Sequence, residues 1–340
     1  MLLELRNLSH KYDQRKTDGI NHLNLSIKSG KITGLIGPSG CGKTTTLKCI
    51  AGLLKYEGDI EYKLNENIIS YVDQTPTISQ NLSVYEFLKI HLDHIEDEEK
   101  ISNQIRSTLS LLNLTNEIDS QIDQISGGQR QRVIIAGALV KNPNILLLDE
   151  PFANLDRTLR IELMNELFEL FKEQQISVVW VTHNTDEAMA YSDELILLNY
   201  GELQQAGTPQ DLYYKPKNLF TANFLSEVNP IASSIVAIEE KTITINLFNE
   251  NISLPKLDSF NKAHHNDLLV LIRPDAFILN SESTRSANIV GKIFKGERTL
   301  LTVDYKNHLL QISVPSKVEF KKNKVRFDFK PEDIYYLSEI

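Results

Sequence analysis

Largely apolar runs alternate with helical patterns over the first two thirds of the chain. Residues 31–36, 145–148 and 177–181 are short runs of this kind, and each is typical of a buried strand. Residues 84–91 and 101–112 instead carry apolar side chains at helical spacing, which predicts amphipathic helices. Parallel sheets tolerate charge mainly at the carboxyl ends of their strands. The alternation therefore predicts an α/β domain with a mostly parallel core sheet.

Both ends of the chain show a β pattern. Residues 2–27 look like antiparallel strands, because apolar and polar positions alternate over their second half. The same alternation returns at residues 243–247 and 325–329, within a region of short predicted strands. We therefore expect antiparallel sheet before the core strands and a separate β-rich region after them.

The length of the chain fits this division. Its 340 residues suggest about two domains of roughly 150 residues each. The change of pattern predicts a first domain over residues 1–228, with a helical part at about 78–140, and a β-rich second domain over residues 229–340.

Composition and charge narrow the classes of function. A net charge of −9 argues against a broad basic surface for nucleic acid. No apolar run approaches the roughly 20 residues that span a bilayer, so work at a membrane would need a partner. The first residues lack the pattern of a signal peptide, and Cys41 and Cys49 form neither a disulfide framework nor a metal-ligand set. We expect a protein of the cell interior.

The run after the first buried strand matches the pattern G-x-x-x-x-G-K-[ST]. Its residues are Gly37, Pro38, Ser39, Gly40, Cys41, Gly42, Lys43, Thr44 and Thr45. Glycines let backbone N–H groups bend around a phosphate, and the predicted helix that follows directs its positive end at the anion. Lys43 would reach the β- and γ-phosphates, and the Thr44 hydroxyl would bind Mg²⁺. The loop predicts a nucleoside triphosphate site, in which Cys41 is either a reactive thiol or a small residue that fits the turn.

Candidate catalytic groups follow the buried strands. Hydrolysis at such a loop needs a metal ion, a positioned water and stabilisation of developing charge. Asp149 ends one strand as a candidate Mg²⁺ ligand, direct or through water, and Glu150 could orient or deprotonate the attacking water. His183 ends the next strand, where it could contact the γ-phosphate or be structural. Tyr12, before the loop, could stack on a purine or pack at a strand end.

One further motif lies between the phosphate loop and the paired carboxylates. Ile125, Ser126, Gly127, Gly128 and Gln129 match L-S-G-G-Q except at the first position. With these motifs the chain resembles the ATP-binding cassette (ABC) ATPase family over about the first 225 residues and on into the C-terminal part. The resemblance implies a P-loop ATPase domain with a parallel core sheet, an antiparallel β subdomain and a helical subdomain, followed by a small all-β, OB-like domain.

The resemblance also implies the cofactors ATP and Mg²⁺ and assigns roles to single residues. Tyr12 is similar to the aromatic residue that stacks on adenine, and Asp156 lies in the D-loop. Gln74 is the Q-loop residue and His183 the switch histidine, and both would act in catalysis with Glu150. The metal ligands that the resemblance implies are Thr44, Gln74 and Asp149.

Two positions depart from the family pattern. Gly137 stands where the family usually has arginine, and Asn184 follows the switch histidine where related importers usually have aspartate. Neither is a catalytic position, so the expected activity is unaffected. Both could alter local packing or hydrogen bonding.

The family arrangement implies a homodimer. Ser126 and Gly128 would contact the γ-phosphate held by the phosphate loop of another copy, so that ATP is sandwiched between the two. A helix that begins after Ser-Gly-Gly is suited to an anion, and symmetry gives two such sites. The alternative is that Ser-Gly-Gly only begins a helix.

The C-terminal part resembles the regulatory, OB-like domain of solute-importer ATPases, often called TOBE. Arg273-Pro274-Asp275 echoes Lys330-Pro331-Glu332, a weak internal repeat. This domain could contact regulatory ligands or partners, or only stabilise the dimer.

The resemblance implies the ATP-hydrolysing subunit of an ABC importer. It would lie peripherally on the cytoplasmic face of the membrane, act on separate permease subunits, meet a solute-binding protein only through them, and not bind nucleic acid. The expected cargo is iron(III), with polyamine, sulfate, phosphonate or sugar as alternatives. A soluble ABC ATPase without a transport role is the alternative class.

Overall fold

The computed structural model describes residues 2–12, 19–63, 68–76, 81–257, 267–320 and 323–337. The chain divides into two compact units, Met1–Pro209 and Gln210–Ile340. The sequence pattern predicts a first domain that extends to residue 228. In the structure, residues 210–228 lie in the second unit, and they include most of one short helix, Pro209–Tyr214, and all of another, Leu219–Leu225.

The elements of the first unit alternate as the apolar runs predict. Its strands are β1 (Leu3–Lys11), β2 (Gly19–Ile27), β3 (Ile32–Ile36), β4 (Glu57–Tyr62), β5 (Ile69–Val72), β6 (Ile145–Asp149), β7 (Ser177–Val181), β8 (Glu194–Asn199) and β9 (Glu202–Gly207). Its α-helices are α1 (Lys43–Ile50), α2 (Val84–Ile90), α3 (Glu98–Leu111), α4 (Gly127–Leu139), α5 (Arg157–Glu173) and α6 (Thr185–Tyr191).

A mixed sheet forms the centre of this unit. Its described strands lie in the order β5-β6-β7-β3-β8-β9, and all neighbours are parallel except β8 and β9. Every residue of β3, β6 and β7 is buried, which explains why these strands are apolar throughout. Because parallel strands end at the same edge, the segments after β3, β6 and β7 are brought together there. The predicted parallel core is confirmed.

A second sheet of described strands has the order β2-β1-β4, and both of its pairs are antiparallel. This confirms the antiparallel strands predicted before the phosphate loop. Tyr12 lies one residue beyond the end of β1.

Helices α2, α3 and α4 pack around apolar side chains that the helical spacing had marked. The buried members of that pattern are Val84, Leu88, Ile101, Ile105, Leu109 and Leu112. Gly137 of α4 lies against this packing, since an added Cβ would be 2.8 Å from His91 Nε2 and 2.9 Å from Phe87 Cε1. The glycine therefore leaves room for these two rings, which explains the first departure from the family pattern.

The second unit begins with the two short helices and continues as strands. Its elements are α7 (Pro209–Tyr214), α8 (Leu219–Leu225), β10 (Asn229–Ile238), β11 (Thr242–Leu247), β12 (Glu250–Pro255), β13 (Asp267–Ile272), β14 (Phe277–Leu279), β15 (Ser286–Phe294), β16 (Arg298–Tyr305), β17 (His308–Pro315), β18 (Lys324–Phe329) and β19 (Ile334–Leu337). The described strands form two sheets, in the orders β12-β11-β10-β13-β19 and β14-β18-β15-β16-β17.

The core of this unit uses the alternating positions seen in the sequence. The side chains that alternate and are buried are Ile243, Ile245, Leu247, Val325, Phe327 and Phe329. This β-rich architecture is consistent with the expected OB-like domain. In the repeated tripeptides, Pro274 and Pro331 each begin a 3-10 turn that leads into a strand. The first residues of the two tripeptides make different contacts. Arg273 donates hydrogen bonds to backbone carbonyls, whereas Lys330 forms an ion pair with Glu332.

Among the residues that the structure describes, no helix is both long and apolar enough to cross a membrane.

Candidate active site

The phosphate loop connects β3 to α1 and folds around the side chain of Lys43. Lys43 Nζ donates to the carbonyl oxygens of Gly37 at 2.8 Å and Pro38 at 2.9 Å, and the residue is only 7% exposed. Gly37 (φ 149°) and Gly42 (φ 103°) need to be glycine. A Cβ at position 37 would lie 2.3 Å from Leu198 O, and one at position 42 would lie 2.7 Å from Gly19 O. Both distances are too short for a side chain, and both φ values are ones that glycine adopts readily. The loop thus holds its ammonium group with neutral acceptors, which an anion could replace.

Asp149, the last residue of β6, is tied to the beginning of α1. Its Oδ1 accepts a hydrogen bond from Thr44 Oγ1 at 3.0 Å, and its Oδ2 accepts one from Tyr71 OH at 3.1 Å. Burial raises the pKa of Asp149, while the two hydroxyl donors act in the opposite direction. Tyr71 was not identified from the sequence, because an aromatic residue in a half-buried strand usually indicates packing alone.

The Thr44 and Asp149 oxygens fit a magnesium ion better than a closed metal centre. No group of three or more His, Cys, Asp or Glu side chains among the described residues could hold a metal by itself. Mg²⁺ prefers oxygen ligands and usually binds through one or two protein groups together with water and substrate phosphates. A hydroxyl and a carboxylate in contact beside the phosphate loop match that ligand set.

Three segments that follow parallel strands meet at the side chain of Glu150. Glu150 Oε2 accepts hydrogen bonds from Gln74 Nε2 at 3.2 Å and from His183 Nδ1 at 3.3 Å. Gln74 follows β5, Glu150 follows β6, and His183 follows β7. The structure therefore brings together the three residues predicted for catalysis.

The backbone of Glu150 is held in an unusual conformation. Its φ is +46°, in the left-handed region that a non-glycine residue seldom occupies, and its N–H donates to Val181 O at 3.2 Å. Such outliers persist where the surrounding structure enforces them, often at functional sites. Glu150 is the first residue after β6, and the side chain of His183, with which it pairs, is 63% exposed.

Tyr12 lies beside the same helix. Its hydroxyl is 3.3 Å from Thr45 Oγ1, its ring meets His10 edge-on, and the residue is 43% exposed. The ring is therefore anchored next to the phosphate loop while remaining accessible to a base.

Cys41 is enclosed within the loop. It is 3% exposed, and burial raises the pKa of its thiol. Thiolate is the reactive form, so this environment favours the interpretation of Cys41 as a small residue that fits the turn.

The Ser-Gly-Gly-Gln motif forms the beginning of α4. Ser126 Oγ accepts from Gln129 N at 3.2 Å, and Gln129 Oε1 accepts from Ser126 N at 2.9 Å. A Cβ on Gly127 would meet no atom within 4 Å, whereas one on Gly128 would be 2.9 Å from Leu159 Cδ1. In the described part of the chain, the side-chain hydrogen bonds of Ser126 and Gln129 do not reach the phosphate loop.

Asp156 and Asn184 begin helices. Asp156 Oδ1 accepts from the N–H groups of Thr158 and Leu159 at the beginning of α5. Asn184 Oδ1 caps α6 in the same manner, and its Nδ2 donates to Glu187 Oε1 at 3.0 Å. An aspartate would cap α6 but could not donate to Glu187, so the second departure from the family pattern adds a hydrogen bond.

The fold and the loop define a P-loop ATPase class of protein, and comparisons with known proteins identify the family. The family described as ABC transporter matches residues 20–153. The spermidine/putrescine import ATP-binding protein PotA of Spiroplasma citri is 34% identical, over 99% of this chain and 97% of that protein. The Fe(3+) ions import ATP-binding protein FbpC 1 of Pectobacterium atrosepticum is 32% identical, over 99% and 94%. The chain therefore belongs to the ABC transporter family, as an importer ATP-binding subunit and an ABC-type ATPase.

Solved structures support the same fold. The cbiO1 protein of Clostridium perfringens, part of the ABC transporter complex cbiONQ, is 29% identical and covers 62% of this chain and 90% of that one, with a TM-score of 0.56. The bacterial ABC transporter cassette MJ0796, described as dimeric, is 28% identical and covers 61% of this chain and 99% of that one, with a TM-score of 0.53.

The burial of Cys41 predicts slow alkylation. Because its pKa is raised, little thiolate forms near neutral pH, and we expect N-ethylmaleimide to react at least about tenfold more slowly than with an exposed thiol. The rate should increase as the pH rises. Intact-mass measurement of the Cys49→Ser chain reports on Cys41 alone.

The matched comparison is an exposed thiol, introduced as Ser110→Cys on α3 in a chain without its natural cysteines. Equal rates for Cys41 and this thiol near neutral pH would contradict the assignment and favour a reactive cysteine.

Proposed function

We propose that two copies of this chain close on two molecules of ATP and thereby drive a separate pair of membrane permease subunits. The observation that carries the proposal is the meeting of Gln74 and His183 at one carboxylate oxygen of Glu150, beside the phosphate loop. The dimeric cassette MJ0796 supports the two-copy arrangement by similarity.

In the proposed mechanism, the phosphates are held by the ammonium group of Lys43 and by backbone N–H groups of residues 37–45, apart from Pro38, which has none. Thr44, Asp149 and Gln74 are the proposed ligands of Mg²⁺, which would neutralise phosphate charge when bound. Tyr71 keeps Asp149 oriented through its hydroxyl. Tyr12 is the proposed platform for adenine, since its ring is anchored beside α1 and accessible.

Glu150 is the proposed base for the attacking water. Its carboxylate can accept the proton of the water, while Gln74 and His183 hold the carboxylate in place by donating to the same oxygen. His183 also stands at the exposed side of this group, where it can approach the γ-phosphate. Asp156, which caps α5, lies in the proposed D-loop.

The other half of each ATP site is proposed to come from the second copy. Ser126, Gly127, Gly128 and Gln129 begin α4, whose first turn presents backbone N–H groups suited to an anion. The open space beside Gly127 is compatible with close approach of a phosphate. Within one copy the motif has no hydrogen bond to the phosphate loop in the described residues, which supports a partner's nucleotide as its target.

We propose a peripheral location at the cytoplasmic face of the membrane, with a solute-binding protein reached only through the permease. Among the relatives, one is named for spermidine and putrescine and another for ferric iron, at 34% and 32% identity. These names give iron(III) no advantage over polyamine, so we propose a small cation of either kind as the cargo. They also favour import over a soluble ABC ATPase without a transport role.

Removing the proposed base should separate binding from hydrolysis. Glu150→Gln keeps a side chain of the same size but cannot accept a proton, so we expect steady-state ATP hydrolysis to fall by about a hundredfold or more. Binding of a fluorescent ATP analogue should remain within about twofold of the unchanged chain. Glu162→Gln, an exposed position on α5, is the matched control and should hydrolyse normally. Undiminished turnover of Glu150→Gln would refute the assigned role.

Uptake measurements in cells that depend on this chain should identify the cargo. Lys43→Ala removes the cation that holds the phosphates. We therefore expect uptake of one labelled cation, spermidine or ferric iron, to drop to background, and that cation is the cargo. Lys172→Ala, an exposed lysine on α5, should leave uptake intact. If both cations enter at normal rates with Lys43→Ala, the proposed cargo is wrong.

A further inference from the structure

The side-chain amide of Gln129 is held from both sides. Its Oε1 accepts from Ser126 N at 2.9 Å, and its Nε2 donates to Glu117 Oε1 at 2.7 Å. A backbone N–H can be paired only with the amide oxygen, and a carboxylate only with the amide nitrogen. The two neighbours therefore fix the orientation of the amide without ambiguity.

This geometry gives Gln129 a different task from that of Ser126. Both ends of its amide are directed at groups of its own copy, so the side chain holds the first turn of α4 together. The reciprocal bond from Gln129 N to Ser126 Oγ completes the capping box. Rotation of the amide would leave Ser126 N facing a donor, and Glu117 prevents that rotation.

Glu117 is itself firmly placed. It ends a 3-10 turn, Thr115–Glu117, after α3. The chain just beyond it is bonded to the beginning of α2, because Tyr85 N donates to Ile118 O at 2.9 Å and Val84 N donates to Ser120 O at 3.0 Å. The carboxylate that orients Gln129 therefore stands on a turn anchored to α2.

We propose that Glu117 is a positioning residue for the ATP site shared between two copies. Through Gln129 it keeps Ser126 and the N-terminus of α4 aimed at the nucleotide of the other copy. The inference rests on the proposed function, in which this motif completes the partner's site. Three hydrogen bonds support it. Gln129 Nε2 donates to Glu117 Oε1, Ser126 N donates to Gln129 Oε1, and Gln129 N donates to Ser126 Oγ.

The test measures ATP-driven association in the Glu150→Gln background, where slow hydrolysis preserves the ATP-bound state. We expect Glu117→Ala to raise the ATP concentration for half-maximal dimer formation by about tenfold, the size expected for one charge-assisted hydrogen bond. Glu117→Gln still offers an oxygen to Gln129 and should remain within about threefold of the parent. Binding of a fluorescent ATP analogue to the monomer should not change.

A reversed pair distinguishes positioning from general stability. Gln129→Glu alone places two carboxylates together and should impair association at least as strongly as Glu117→Ala. Glu117→Gln combined with Gln129→Glu restores one donor and one acceptor, with the donor now at position 117, and should recover most of the lost association. Asp119→Ala, an exposed carboxylate of the same segment, is the matched control and should behave as the parent.

The outcomes separate the two proposals. If the parent dimerises with ATP but Glu117→Ala does so at the same ATP concentration, or the reversed pair fails to recover association, the role of Glu117 is overturned. If the Glu150→Gln parent itself does not dimerise, the shared site of the proposed function fails first, and the role of Glu117 falls with it.

Discussion

The hydrogen bond from Thr44 to Asp149 joins the beginning of α1 to the end of β6, across the edge where parallel strands finish. Strands β6, β7 and β3 are successive neighbours in the sheet, so the segments that follow them must meet at that edge. One segment carries the phosphate loop, one the two carboxylates, and one His183. The order of the strands decides which groups can meet, and the Thr44–Asp149 bond fixes the loop against the carboxylates.

Much of this arrangement follows from the sequence, because burial on both faces requires apolar runs such as 145–148 and because glycines at 37 and 42 are needed by the turn. Three features could not be predicted. Tyr71 has the pattern of an ordinary strand residue, and its bond to Asp149 depends on which strand lies beside β6. Glu117 belongs to no motif and meets Gln129 only through the packing of separate turns. The sequence pattern of α7 and α8 does not depend on the unit in which they pack, so it could not place the boundary between the two units.

The structure gives the two halves of the proposed ATP site different physical characters. The phosphate loop is compact, and its lysine is already enclosed by carbonyl oxygens. The beginning of α4 is more exposed at Ser126 and Gly127, yet its conformation is fixed by the capping box and by Glu117. A rigid, accessible helix N-terminus is suited to meeting an anion that another molecule brings. This contrast supports the proposal that the motif meets a partner's nucleotide.

In the proposed function, a complete ATP site needs two copies of the chain. The most direct measurement is the mass in solution of the Glu150→Gln chain with Mg²⁺ and ATP, compared with the same chain carrying Ser126→Arg. We predict twice the mass of one chain for the first, and the mass of one chain with nucleotide still bound for the second. A Ser126→Arg chain that dimerises with ATP as readily as its parent would contradict the account.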